Sequence, residues 1–403
     1  MLSLLFLCTL FLWGSDSYVL MVSFDGFRHD YAEWAETPNF DSVATNGVKA
    51  DGLIPVFPSL TFPNHYSIAT GAYAGTHNIT GNSFYDKSLK EKYSLYDRDK
   101  VRDARFYKSE PIWVTAEKQG VRTASYFWVG TEAPIKGYLP SIFKYYDGDI
   151  PFKTRVDSVT TWFSLPEDRR PRLIMLYFSE PDHTGHVYGI DSLKIKTQVE
   201  SMDSLLGYVL TEMKDLDISP NLNIIITSDH GMTNVSKDRL VILDNYLSRM
   251  DDVYINGRGT HVQFDLKKGA APYKQALAEE LSQIPNATNW KKDDIPRRFH
   301  FVNQNTGEYL LLADEGYFIT TQKSLNEREF TLGGMHGYDP QLPSMWGIFY
   351  AMGTDLKTNF KVPAFENIHI YPLVCRLLEI EPYKDAPDAP QGKAEVLIPI
   401  LEE

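Results

Sequence analysis

The sequence predicts an α/β fold: a mostly parallel central sheet with helices on both faces. Three observations predict it. Tyr18–Phe24, Leu173–Phe178, Leu222–Thr227 and Trp346–Tyr350 are apolar almost throughout, as strands buried on both faces are. Helical patterns separate them, the alternation of a sheet covered on two sides. The first three runs each end in a short segment carrying an aspartate. Ligands of open parallel sheets bind beyond the carboxyl ends of the strands, so chemistry is sought there.

From the N-terminus, residues 2–13 (LSLLFLCTLFLW) are uncharged and too short to span a bilayer. Ser15 and Ser17 supply small residues for cleavage after Ser17. A signal peptide over 1–17 is expected, with export to the extracellular space or a periplasm. Residues 18–403 are then expected to form one catalytic domain. Thr37-Pro38 opens a helix that Gly47 closes. Pro63 reads as the first residue of another helix, running to Gly71, with Thr61 at or beside its N-cap. Pro111 starts a third, ended by Gly120. Ile195, Val199, Met202, Leu206, Val209 and Met213 make one apolar stripe. Ile368, Tyr371, Val374, Cys375 and Leu378 give a last amphipathic helix. No later apolar run approaches the ~18 residues of a membrane span, so no second anchor is expected.

Composition narrows the function. Hydrophobic residues are 43% and charged residues 23%, which excludes disorder, collagen and a polytopic membrane protein. The net charge of −13 repels a phosphate backbone, so stable nucleic-acid binding is not expected. A small phosphate ligand remains possible, because a bound metal ion inverts the local field. Cys8 would leave with the leader, and Cys375 cannot pair alone. Asn78, Asn234 and Asn286 begin Asn-x-Ser/Thr triplets, glycan acceptors in a eukaryotic secretory route. The low cysteine count suits a periplasm equally.

The strand ends carry the chemistry. Tyr18–Phe24 runs into Asp25, Leu173–Phe178 into Glu180-Pro181-Asp182, and Leu222–Thr227 into Asp229-His230. One aspartate after a strand is ordinarily a turn or cap; three at one sheet edge, two with histidines nearby, call for another reason. Asp182 and His186 stand four apart, on one side of a helical turn. His336 sits among Gly333, Gly334 and Gly337, where backbone can approach closely. Mixed Asp and His ligands without thiolates suit Zn²⁺ in an open site. Thr61 reads either as an ordinary cap or as a nucleophile. At a helix N-terminus its oxygen meets free N–H groups that suit phosphate, and a metal could activate it.

The segments Val22–Arg28, Thr61–Tyr66, Glu180–His186 and Ser228–Met232 resemble the nucleotide pyrophosphatase/phosphodiesterase family. The resemblance runs from Tyr18 to about residue 380. It implies an alkaline-phosphatase-like fold and a two-zinc phosphodiesterase acting on small nucleotide substrates. Asp182, His186 and His336 would hold one zinc; Asp25, Asp229, His230 and the Thr61 oxygen would hold the other. Thr61 would be the nucleophile, forming a phospho-threonine intermediate that water resolves to a nucleoside 5′-monophosphate. Asn82 matches the asparagine that donates to a phosphoryl oxygen. Phe62 and Tyr145, which is followed by Tyr146, match the aromatic pair that sandwiches the base. Residues 86–107 look like the insertion loop that lines the nucleotide pocket. The cysteine framework and accessory domains of the family's animal members are missing, so the chain resembles a stand-alone catalytic domain.

Among the other histidines, His65 lies one turn beyond Thr61 and could support the site from behind. His183 is expected to be exposed. His29, His77, His261, His300 and His369 are expected to be structural or surface residues. Two alternatives stand beside the nucleotide reading: a lysophospholipid or choline phosphodiesterase of the same family, and a non-catalytic secreted binding module. Phe62 and the insertion disfavour the first, and the complete ligand set disfavours the second. A sulfatase is disfavoured because neither cysteine lies in a Cys-x-Pro-x-Arg segment, and a phosphomonoesterase fits the motifs poorly.

Overall fold

In the computed structural model, residues 17–327 and 333–402 are described; the expected leader, apart from Ser17, lies outside them. The central sheet is built from β1 (Tyr18–Phe24), β2 (Val48–Ala50), β3 (Thr123–Tyr126), β4 (Ile142–Lys144), β5 (Leu173–Phe178), β6 (Leu222–Thr227), β7 (Phe349–Gly353) and β8 (Phe360–Val362). Their order across the sheet is β8-β2-β7-β6-β1-β5-β3-β4. β7 pairs antiparallel with β6 and β2, and the other pairings are parallel. The three apolar runs that end in acidic segments are thus the adjacent central strands β6, β1 and β5. The fourth strand begins at Phe349, not Trp346. Gly347 is diverted into bridges with Arg28 and Leu53, and a Cβ there would fall 2.2 Å from Ser228 Oγ.

Strand alternation divides the core. Val19, Met21, Leu173 and Met175 face one hydrophobic cluster; Leu20, Val22, Ile174 and Leu176 face the other. The longer helices are α1 (Pro38–Asn46), α2 (Thr61–Thr70), α3 (Ile112–Lys118), α4 (Phe152–Phe163), α5 (Asp182–Tyr188), α6 (Leu193–Lys214), α7 (Lys274–Ser282) and α8 (Ile370–Leu377). α2, α3 and α8 cover the first face, and α1, α4 and α6 the second. The predicted stripe of α6 is buried from Ile195 to Met213, and Cys375 is buried in α8. Two helix starts differ from expectation. α2 begins at Thr61 and α3 at Ile112, so Pro63 lies inside the first turn and Pro111 outside the helix. Thr37 does not cap α1: its hydroxyl donates to Ala32 O. The Asp203 carboxylate of α6 accepts from the Asn39 and Phe40 amides instead.

A second sheet, not anticipated from the sequence, pairs Val253–Arg258, His261–Leu266, Tyr309–Ala313 and Ala287–Lys291 antiparallel. With α7 it encloses its own core around Phe264, Leu277 and Leu311. Its strands include polar and half-buried positions, so they lack the continuous apolar signal of the central ones. Within residues 86–107, Glu91–Ser94 pairs with Ser83–Asp86 in a hairpin, and Tyr93, Val101 and Phe106 are buried in the first cluster. Of the three glycan triplets, Asn78 is buried, its amide donating to Asp86 and Phe106 O; only Asn286 is exposed. Among the described residues, no helix is long and apolar enough to cross a membrane.

Candidate active site

Because β6, β1 and β5 are neighbours, the residues that follow them converge. Gly26 has φ +66, and a Cβ there would lie 2.8 Å from the Asp182 Cβ. Only glycine permits this approach, which is locked by the Asp182 amide donating to Asp25 O at 2.9 Å. Asp182 and His186 face one way from α5, with Nε2 of the histidine 3.4 Å from Asp182 Oδ1. Gly333 lets the segment leading to His336 lie against α5: a Cβ there would meet His186 O at 2.6 Å.

Each of three imidazoles has its Nδ1 beside a backbone carbonyl. His186 Nδ1 donates to Gly334 O at 2.9 Å, His336 Nδ1 to Ser59 O at 2.8 Å and His230 Nδ1 to Gly231 O at 2.8 Å. This assignment leaves every Nε2 as an acceptor, the arrangement that orients metal-ligating histidines. The Nε2 atoms of His186 and His336 then face each other at 3.1 Å, with no proton to share. His230 Nε2 lies 3.0 Å from Asp229 Oδ2 and 3.5 Å from Asp25 Oδ1.

The carboxylates show the same deficit. Asp25 Oδ2 accepts from the Tyr177 hydroxyl at 2.5 Å, and Asp229 Oδ1 accepts from the Gly26 amide at 3.0 Å. Their other oxygens, with Asp182 Oδ1, are buried without a hydrogen-bond donor. Burial pushes the Asp25 carboxyl well up, and Asp229 and Asp182 push it further. Asp229 is held low against its burial by His230 and His65. His336 lies well below the usual imidazole range through burial, His230 and His186. Burial opposes a rise at His230, but Asp229 outweighs it. Orphaned acceptors on three carboxylates and three imidazoles are a donor set for cations.

Asp182, His230 and His336 bring one donor atom each within 4.8 Å of one another, as do Asp25, His65 and Asp229. His65 is better read as a support than as a ligand. Its Nδ1 donates to Thr61 O at 3.0 Å and its Nε2 accepts from Ser23 Oγ at 2.8 Å. Fully buried, it ties α2 to β1. His183 is exposed, as expected, and lines the cavity.

Thr61 opens α2, its Oγ1 3.4 Å from His230 Nε2. The next amide, of Phe62, donates to Asn82 Oδ1 at 2.9 Å. That bond turns the Asn82 NH₂ to the other side of the side chain, and Asn82 lines the same cavity as Thr61. The cavity, about 530 Å³, reaches from Asp25, Asp182, His186 and His336 to Phe62 and the insertion residues Leu95, Tyr96, Arg98 and Val101.

The aromatic wall corrects one expectation. Tyr146, not Tyr145, lines the cavity. Tyr145 is turned out, 57% exposed, edge-on to Phe143 and beneath the Arg102 guanidinium at 4.4 Å. Adjacent residues on an extended segment point to opposite sides, so the motif alone does not choose between them. Glu132 was also not anticipated. Its nearly buried carboxylate pairs with Arg98 and Arg102 of the insertion and accepts from the Tyr146 amide at 3.1 Å, while Arg98 lies over the Tyr146 ring at 5.3 Å. One carboxylate thus latches the insertion to the cavity wall. Glu132→Ala removes both ion pairs and the acceptor of the Tyr146 amide. It is expected to lower the melting temperature and raise KM for substrates that reach Tyr146, with kcat changed less.

A mostly parallel sheet with Asp and His clusters over its central strand ends, beside a threonine at a helix start, defines an alkaline-phosphatase-like scaffold. Residues 19–339 match the family of type I phosphodiesterases and nucleotide pyrophosphatases. The chain belongs to that family. It is 34% identical to the venom phosphodiesterase of Naja atra over 91% of its own length and 45% of that protein's. Its identity to human ectonucleotide pyrophosphatase/phosphodiesterase family member 1 is also 34%, over 90% of this chain and 40% of the relative. The chain therefore spans less than half the length of these curated relatives. The solved structure of human ectonucleotide pyrophosphatase/phosphodiesterase 5 superposes with a TM-score of 0.89 at 34% identity, covering 96% of this chain and all of that one. An inactive variant of the murine protein, solved with AMP, superposes equally well, with a TM-score of 0.89 at 32% identity.

Proposed function

We propose that this chain is an exported two-zinc phosphodiesterase that hydrolyses nucleotides and nucleotide diesters to nucleoside 5′-monophosphates. Residues 18–403 act in this reading as one catalytic domain. The observation that carries it is the Thr61 hydroxyl standing at a helix start before three carboxylates that each bare an unpaired oxygen. Asp182, His186 and His336 would hold one zinc, and Asp25, Asp229, His230 and Thr61 Oγ1 the other. Bound there, the two ions supply the positive charge that such a cluster lacks and polarise the phosphate oxygens. Thr61 Oγ gives up its proton and forms the bond to phosphorus, while the opposite P–O bond breaks and the leaving oxygen departs. Water then attacks the phospho-threonine, restoring the hydroxyl and releasing the monophosphate. The Asn82 NH₂, aimed by its bond to the Phe62 amide, donates to an equatorial phosphoryl oxygen. The AMP complex of the murine neighbour supports a nucleotide as occupant. A substrate panel scored for nucleoside 5′-monophosphate release tests the reading; release of choline or a lysophospholipid headgroup alone would replace it.

The base is expected to stack between Phe62 and Tyr146. Stacking on an aromatic ring is worth about 1–3 kcal/mol per base. Phe62→Ala and Tyr146→Ala should therefore each raise KM for a nucleotide substrate by about tenfold, and scarcely change it for a small aryl phosphodiester without a base. Tyr145→Ala should affect neither. Equal losses on both substrates in a folded Phe62→Ala protein would remove the stacking role.

A further inference from the structure

The two carboxylates beside Thr61 are wired alike. Asp25 turns Oδ2 to the Tyr177 hydroxyl, which donates to it at 2.5 Å. Asp229 turns Oδ1 to the Gly26 amide, which donates to it at 3.0 Å. In each the second oxygen, Asp25 Oδ1 or Asp229 Oδ2, is buried without a donor. Both bare oxygens face His230 Nε2, at 3.5 and 3.0 Å, and Thr61 Oγ1 lies 3.4 Å from the same nitrogen. Asp25, Asp229, His230 and Thr61 thus offer one donor atom each. Four is the coordination number that zinc favours. Magnesium, calcium and manganese favour six or more oxygens, and a carboxylate free to bind through both of its own helps to supply them.

The two outer donors differ in kind. The one on Asp229 is a backbone amide. The one on Asp25 is a side chain, and phenylalanine would fill its place as well in a purely apolar core. Tyr177 is buried in β5 and lines the cavity of Thr61. Its ring stands edge-on to His65 at 5.2 Å, and Arg155 Nη1 donates to its carbonyl at 2.9 Å. Ring and backbone are therefore held without the hydroxyl. Among the described residues, that hydroxyl has one hydrogen-bond partner, Asp25 Oδ2.

We propose that Tyr177 is a positioning residue: its hydroxyl holds Asp25 to a single ligating oxygen, which keeps the Thr61 site four-coordinate and selects zinc over cations that favour six oxygen ligands. The proposal rests on the two-zinc reading above.

Tyr177→Phe tests it, because it removes the hydroxyl and keeps the ring. Chelator competition on the full, zinc-loaded chain should show the ion at Thr61 held about 10–100-fold more weakly, the effect of losing an outer partner of a metal ligand. The ion at Asp182, His186 and His336 should be unchanged and serves as internal reference. The ratio of the Mn²⁺ to the Zn²⁺ Kd at the Thr61 site should fall by about tenfold or more. With Co²⁺ in place of zinc, the intense visible band of a four-coordinate ion should weaken as Asp25 brings in its second oxygen. Tyr371→Phe controls for loss of a buried phenol: its hydroxyl pairs with Thr115 Oγ1 at 2.9 Å in the core of α8, and both ions and the cobalt band should be unaffected. Equal weakening of both ions by Tyr177→Phe overturns the proposal, as do an unchanged zinc affinity and cobalt band in the folded variant. Should Tyr177→Phe fail to fold, a crystal structure of the zinc-loaded native chain decides: Asp25 should reach the ion through Oδ1 alone, and ligation through both oxygens overturns the proposal. A native chain that binds no zinc ends the zinc reading itself, whereas native zinc binding that is indifferent to Tyr177 ends only this one.

Discussion

Thr61→Ala is expected to lower kcat by about 10⁴–10⁶-fold, the scale on which loss of a catalytic nucleophile acts. The fold should not suffer. Thr61 is the first residue of α2, with Leu60 at the cap, and among the described residues its hydroxyl has one hydrogen-bond partner, His230 Nε2 at 3.4 Å. Alanine is a better helix former there than threonine. Bound zinc and nucleotide affinity should both persist, so the loss falls on kcat rather than KM. Thr61→Ser keeps the oxygen and should keep measurable turnover. Acid quenching with a radiolabelled phosphoryl group should leave label on the Thr61 peptide of the native chain and none on the alanine variant. An alanine variant turning over at the native rate would sink the assignment, as would label on another residue.

Removal of the metal is expected to be as severe. Elemental analysis after exhaustive dialysis should find close to two zinc ions per chain, chelation should abolish activity, and added Zn²⁺ should restore it. Stability should fall with activity. A ligand bound only by the folded state stabilises it by about 4 kcal/mol at a thousandfold excess over its Kd. The chelated chain would also hold three carboxylates whose unpaired oxygens have no donor, so its melting temperature should drop. Asp229→Ala should lower the content to about one ion, since Asp182, His186 and His336 are untouched. Full activity in a metal-free chain would overturn the zinc reading.

Much of this arrangement is already in the linear chain. Strands buried on both faces write themselves as unbroken apolar runs, and β1, β5 and β6 begin and end where those runs do. The 3.6-residue period of α6 is equally local, as is the four-residue step from Asp182 to His186. Each depends on a residue and its near neighbours, which a sequence displays in full. The adjacency of β6, β1 and β5 is not local. Only their pairing brings Asp229, Asp25 and Asp182 to one point and leaves an oxygen of each without a donor. The Asp203 carboxylate caps α1 from another helix, and Glu132 joins Arg98, Arg102 and Tyr146 across separate segments. Tyr146 rather than Tyr145 faces the cavity because a neighbouring wall sets the rotation of an extended segment. The second sheet escaped notice because half-exposed strands need not be apolar. What the sequence by itself determined was the central strands, the main helices and the carboxylates, imidazoles and Thr61 hydroxyl carried at their ends. Tertiary structure decided which of them meet, because contact across a sheet or between loops depends on long-range burial and pairing, which no local spacing encodes.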